Sequence, residues 1–267
     1  MSERSEYAPG EFRWVDLSTP NVDGALTFYG ELLGVEGQPA PGDPEETGGY
    51  GFLVKDGKMI AGYGPTQQEG QPPAWSSYIS VADADETVAK VKEAGGQVHA
   101  GPFDLPNESG RMAVLQDPTG AFICINEPQN HPGAQLVNEP GAWTWNNLMT
   151  RDVEGAKEFY EKVFGWTAVH NDEAPPNILM WQVDGQRWPE GLGGLMGITD
   201  DLPVDMPPHW QVYFVVEDMD EAIEKATSLG AKVGFGPIDV PVARLATLVD
   251  PQGAVVSILE SRYPEPR

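Results

Sequence analysis

The sequence predicts an α+β protein made of two copies of one unit, each copy holding two βαβββ modules. Three observations carry this. Trp14-Val15-Asp16-Leu17-Ser18-Thr19 with Asn21-Val22-Asp23-Gly24-Ala25 and Phe28-Tyr29 returns 131 residues later, from Trp145 to Phe159-Tyr160. Trp75, Tyr78 and Asp83 return as Trp210, Tyr213 and Asp218 after 135 residues, and Asp117-Pro118-Thr119-Gly120-Ala121 returns as Asp250-Pro251-Gln252-Gly253-Ala254 after 133. Strand-like and helix-like patterns then alternate in the same order in both copies, and the small changes of offset mark loop insertions between blocks that keep their register. The predicted organisation is an arm over residues 1–11, a first unit over 12–127, a linker over 128–142 and a second unit over 143–262.

Taken in order, Phe12 to Thr19 alternates as a strand covered on both faces. Val22, Ala25, Leu26, Phe28, Tyr29, Leu32 and Leu33 fall at helical spacing and stop at Gly34. Pro39, Pro41, Gly42, Pro44 and Gly48-Gly49 predict a loop, followed by two short strands around a hairpin at Asp56-Gly57. After a second Gly/Pro/Gln-rich connection the unit restarts with a strand near Ser77 to Val81 and a helix ending at Gly95-Gly96. A strand from Gln97 follows, then a pair joined by Asp117-Pro118-Thr119-Gly120. The three prolines and two asparagines between Glu127 and Gly141 mark the linker, and the second copy repeats the order.

At 267 residues each copy is long enough for its own core. The formal charge of −25 repels phosphate backbones and anionic membranes, so neither nucleic acid nor a membrane is an expected partner. No apolar run nears the roughly 18 residues of a membrane span, the N-terminus lacks a signal-peptide pattern, and a single cysteine, Cys124, fits a reducing compartment; a cytoplasmic location is expected.

The strand, the helix running through Phe28-Tyr29 to Leu33-Gly34 and through Phe159-Tyr160 to Phe164-Gly165, and the late Asp-Pro-x-Gly turn together resemble the vicinal oxygen chelate superfamily of glyoxalase I, extradiol dioxygenases and bleomycin-resistance proteins. Arg4-Ser5-Glu6-Tyr7 with Trp14-Val15-Asp16-Leu17 is similar to its tandem glyoxalase-like branch in actinomycetes. That branch includes a culture-filtrate antigen, proteins labelled hydroxylases and members encoded with antibiotic pathways. The resemblance implies tandem glyoxalase-like domains, each curling a mixed or antiparallel sheet into a cup with metal ligands on its strands. Counted by the family's spacing, those ligand positions hold Trp14, Ser77 and Cys124 in the first copy and Trp145, Val212 and Ser257 in the second. The fourth-strand segments Met59 to Tyr63 and Gly194 to Gly197 add no His or carboxylate. No metal and no cofactor is expected.

Aromatic residues at vacated ligand positions leave two readings open. Trp14, Trp145, Trp75, Tyr78, Trp210 and Tyr213 either wall a pocket for a planar ligand or fill the core. Asp16, whose counterpart is Asn147, is a candidate general base or a hydrogen-bond acceptor. Arg111 and Arg244 could hold an oxyanion or close a salt bridge, and Cys124 could be a nucleophile or a small buried hydrophobe. The expected function is metal-independent binding of a small hydrophobic or aromatic metabolite by a monomer with an internal pseudo-dimer, or by a homodimer. The alternatives are a lyase, isomerase or oxygenation enzyme of the same superfamily using Asp16, Arg111 or Arg244, or an atypical metal site, and an interaction protein whose cups have lost their ligand.

Overall fold

The computed structural model describes residues 3–170, 178–183, 192–200 and 202–262. In the first copy the order is β1 (Phe12–Thr19), α1 (Val22–Leu33), β2 (Glu36–Pro39), α2 (Pro44–Thr47), β3 (Gly51–Lys55), β4 (Lys58–Pro65), β5 (Ala74–Ser80), α3 (Ala84–Glu93), β6 (Gln97–Asp104), β7 (Gly110–Gln116) and β8 (Phe122–Pro128). The second copy gives β9 (Trp143–Thr150), α4 (Val153–Phe164), β10 (Thr167–His170), β11 (Ile178–Gln182), β12 (Gly193–Gly197), β13 (His209–Val215), α5 (Met219–Ser228), β14 (Lys232–Val240), β15 (Ala243–Val249) and β16 (Val255–Ser261).

Each copy forms one eight-stranded mixed sheet, in the orders β2-β3-β4-β1-β5-β8-β7-β6 and β10-β11-β12-β9-β13-β16-β15-β14. Every module closes by pairing its first and last strands in parallel, β1 with β4 and β5 with β8, and the modules meet where β1 and β5 run antiparallel. The parallel pairing follows from the connection: a helix between a module's first two strands carries the chain across one face before it returns.

Local chemistry sets the elements. Asn21 accepts from Gly24 N and Asp152 from Gly155 N at the helix starts, while Gly34 and Gly165 close α1 and α4 in the left-handed conformation. Asp56 and Gly57 both have positive φ, as the turn between β3 and β4 requires. The stretch from Pro39 to Gly49 departs from the predicted loop. Its first residue ends strand β2, paired with β3, and Asp43 caps the short α2 by accepting from Glu45 N. Four exposed residues carry no alternation, so β2 exists because β3 offers it an edge.

The two sheets pack through their helix-bearing faces. α1 touches α5, α3 touches α4, and β5 meets β13 between them. Phe12 packs on Trp166 and Trp210, and Trp75 on Phe214. Two matching polar chains cross this seam. Trp75 Nε1 donates to Tyr29 OH at 2.9 Å, which donates to Asp250 Oδ2 at 2.9 Å; Trp210 Nε1 donates to Tyr160 OH at 2.8 Å, which donates to Asp117 Oδ2 at 3.0 Å. The other oxygen of each aspartate accepts the backbone N–H groups of its own Asp-Pro-x-Gly turn. The repeated Phe-Tyr and Asp-Pro-x-Gly motifs are therefore one device, each copy's helix tied to the other's turn. Among the described residues no helix is long and apolar enough to cross a membrane.

Candidate functional site

Register assigns the faces. Trp14 pairs with Tyr78, Asp16 with Ser76, and Tyr78 with Cys124, so these side chains share the face opposite the helices. In the second sheet Trp145, Asn147, Gln211, Tyr213 and Ser257 share the corresponding open face. Ser77, Val212, Trp75 and Trp210 point the other way. Ser77 Oγ donates to Asn146 Oδ1 across the seam at 3.0 Å, Val212 is buried, and both tryptophans belong to the polar chains just described. Their expected place in the cups is corrected: a strand alternates with period two, so a position counted one residue off lands on the opposite face.

On the first open face the polar groups converge on Asp16. Tyr78 OH donates to Asp16 Oδ2 at 2.7 Å and Tyr50 OH donates to the same oxygen at 3.2 Å, while Trp14 Nε1 donates to Tyr50 OH at 2.9 Å. Glycine makes this possible, since a Cβ on Gly62, the β4 partner of Asp16, would stand 2.0 Å from Tyr50 OH. Burial pushes the Asp16 carboxyl up to about 6, against the lowering pull of hydrogen bonds from Tyr78, Tyr50 and Ser76. Burial likewise pushes the Cys124 thiol up and away from the thiolate a nucleophile needs.

Aromatic rings wall this centre. Trp14 meets Phe52 edge-on with centroids 6.2 Å apart, and Tyr50 meets Phe52 at 5.9 Å. His131, from the linker, lies 4.6 Å from Trp14 and 5.6 Å from Phe52. Burial first, then the charge of Arg13, lowers His131 to about 4, and its Nδ1 accepts from Gly133 N, so the ring is neutral at pH 7. Trp14 is thus on the open face and yet only 4 % exposed, because its own neighbours cover it.

The second open face is chemically milder. Trp145 Nε1 donates to Asn147 Oδ1 at 2.9 Å, Asn147 Nδ2 donates to Tyr213 OH at 3.2 Å, and Ser257 shares a 2.8 Å hydrogen bond with Thr247. A Cβ on Gly194 would stand 1.9 Å from Asn147 Oδ1, the same accommodation as at Gly62. Exposed apolar side chains also gather on the open faces: Phe103 and Phe122 on the first sheet, Phe235, Ile238 and Val255 on the second, all on the register of Cys124 or Ser257.

Arg111 and Arg244 lie on the helix side, away from both centres. Arg111 pairs with Asp85 at 2.9 Å and Asp104 at 3.1 Å, and Arg244 with Asp220 at 3.0 Å. Of the three residues expected to do chemistry, only Asp16 stands on an open face. Tyr50, Phe52, Arg13 and His131 were not singled out from the sequence as members of this site. Tyr50 stands just before β3, a strand too short for a periodic signal, and His131 reaches the site only through the path of the linker.

The donor set does not suit the divalent ion used elsewhere in the resembling superfamily. Asp16 already accepts from two phenols, Cys124 is held as a thiol, indoles only donate, and the strand partners of Asp16 and Asn147 are Gly62 and Gly194. Among the described residues no three His, Cys, Asp or Glu side chains converge as a metal-binding group.

The family model described as Glyoxalase/Bleomycin resistance protein/Dioxygenase superfamily matches residues 11–125 and 144–258, once per sheet. The Mycobacterium tuberculosis protein named "Putative glyoxylase CFP32" is 39 % identical over 97 % of this chain and 98 % of its own. The anthracycline biosynthesis protein DnrV of Streptomyces peucetius is 34 % identical over 97 % of both chains. Among solved structures, the 2,3-dioxygenase LapB from Pseudomonas sp. KL28 aligns with a TM-score of 0.62 at 14 % identity over 100 % of this chain and 96 % of its own. The Mn(II)-bound glyoxalase from Novosphingobium aromaticivorans gives 0.62 and 14 % over 97 % and 83 %. These structural likenesses speak for the fold.

Proposed function

Because the chain belongs to the glyoxalase/bleomycin resistance protein/dioxygenase superfamily, we propose that it binds a planar, largely apolar aromatic metabolite on the open face of its first sheet, without a metal at the superfamily's ligand positions. One observation carries this reading: a half-buried carboxylate, Asp16, held by two phenols at the centre of an aromatic cluster of Trp14, Tyr50, Phe52 and Tyr78. Rings supply stacking area at low entropic cost, and the carboxylate supplies a directional acceptor for a hydroxyl on the ligand's edge. A relative named for anthracycline biosynthesis supports a polycyclic ligand, and the task would be sequestration or accessory handling of a secondary metabolite.

A second reading rests on the same residue. With its carboxyl raised to about 6, Asp16 is mostly ionised at pH 7 yet basic enough to take a proton from a bound ligand, as an isomerising enzyme would require. Titration of the protein with 1,8-dihydroxyanthraquinone, followed by tryptophan fluorescence with and without EDTA and by chromatography of the recovered ligand, tests both. The expected result is saturable quenching, unchanged by EDTA, with the ligand recovered intact. Loss of binding on chelation sinks the metal-free reading, conversion of the ligand favours the enzyme, and absence of saturable quenching removes both.

A further inference from the structure

Resting on that binding reading, we propose that Arg13 anchors an anionic oxygen of the ligand, so that the first open face takes a planar aromatic acid bearing a carboxylate or an ionised ring hydroxyl. β1 shifts register between Phe12 and Trp14, and this irregularity turns Arg13 toward the side of Trp14. Arg13 is 3 % exposed. Its Nη1 donates to Asn126 Oδ1, its Nη2 donates to the His131 carbonyl, and its Nε has no acceptor.

No carboxylate pairs with it among the described residues, in a chain with 41 acidic and 16 basic side chains. Arg4, Arg111, Arg244 and Arg262 all have acidic partners on the surface. A buried cation satisfied only by neutral oxygens is unfavourable, and an anion arriving beside it offsets that cost. The second copy is the control within the same chain. There Thr144 stands for Arg13, bonding Asn138, and Leu259 stands for Asn126, so the fold itself does not require the cation.

The linker shows how an acid would fit. His131 presents an aromatic ring to Trp14 and Phe52 and, from the same residue, an oxygen to Arg13. This is the shape of an aromatic acid. A ligand that displaced His131 would place its ring on the two aromatics and a charged oxygen on the guanidinium, where the bond is stronger than to a neutral carbonyl.

The test titrates the folded full chain with 2-naphthoate and, separately, with neutral 2-naphthamide at pH 7.5, reading tryptophan fluorescence. Wild-type protein is expected to bind the naphthoate about tenfold more tightly than the amide. R13M, which removes a cation without orphaning a carboxylate, should lose that preference, R13K should keep part of it, and H131G should bind naphthoate more tightly than wild type. An amide bound as tightly as naphthoate by wild type, or a folded R13M that keeps the preference, overturns the anchor while leaving aromatic binding standing. Should R13M fail to fold, R13Q takes its place, and a folded R13Q that keeps the preference for naphthoate overturns the anchor instead. If wild type binds neither probe, the binding reading fails and the anchor with it.

Discussion

Asp16 and His131 lie on one open face and respond to pH in opposite senses. The Asp16 carboxyl is raised from 3.8 to about 6, so the folded chain holds its proton more tightly than the unfolded chain. Its contribution to stability is full below pH 4 and is lost as pH rises through 6, a change of roughly 3 kcal/mol. His131 is lowered from 6.5 to about 4, so the unfolded chain protonates first. Its contribution is full above pH 6.5 and is lost as pH falls through 4, again by roughly 3 kcal/mol. Between pH 4 and 6 the two slopes oppose. Urea midpoints should therefore show D16N gaining stability relative to wild type as pH rises across that window, and H131F losing it. A D16N-minus-wild-type difference that stays constant with pH would contradict the assignment of Asp16. At this scale the sequence showed that Trp14 and Asp16 share a face, because β1 alternates. The partners Tyr50 and His131 were hidden, since one lies beyond a loop and the other in a linker, and neither shares a periodic element with Asp16.

The elements carry the duplication into three dimensions through the Tyr29–Asp250 and Tyr160–Asp117 bonds. The sequence marked these residues as motifs of the unit, and helix α1, its cap at Gly34 and the Asp56-Gly57 hairpin were legible from spacing and turn chemistry. What spacing could not show was that each tyrosine serves the other copy, because the partner lies 221 residues away in one case. Trp75 and Trp210 looked like pocket walls for the same reason; their indole N–H groups are consumed inside the seam. Changing Tyr29 to Phe removes both a donor to Asp250 and an acceptor for Trp75, leaving two buried polar groups short of a partner. Y29F and Y160F should each cost roughly 1–3 kcal/mol in denaturant unfolding. A cost of only a few tenths for both would mean that water serves the seam as well as the phenols do.

For the whole molecule, the seam predicts joint unfolding. Helices of each copy contact helices of the other, and the largest buried rings, Trp166, Trp181, Tyr29 and Tyr160, gather at or beside the seam. Neither sheet can open without exposing apolar surface of its partner. Thermal unfolding followed by near-ultraviolet dichroism and by calorimetry should give one coincident transition, whereas two separated transitions would show that the copies are thermodynamically independent. The duplication and the α+β class were plain from the repeated blocks. The packing of the sheets through their helix faces was not, because the contacts that decide it have no counterpart in local pattern. That packing leaves the open faces to solvent, and the two differ in chemistry: Asp16, Arg13 and His131 on one, Asn147 and Ser257 on the other.

Crystals soaked with 6-bromo-2-naphthoic acid, with bromine located by anomalous scattering, test most directly whether the first open face is the binding site. The expected result is one strong bromine peak per chain on that face, with the ring against Trp14 and Phe52 and Asp16 within reach of its edge. Bromine found only on the second sheet or along the helix seam, or none at a concentration that saturates the protein in solution, would contradict it.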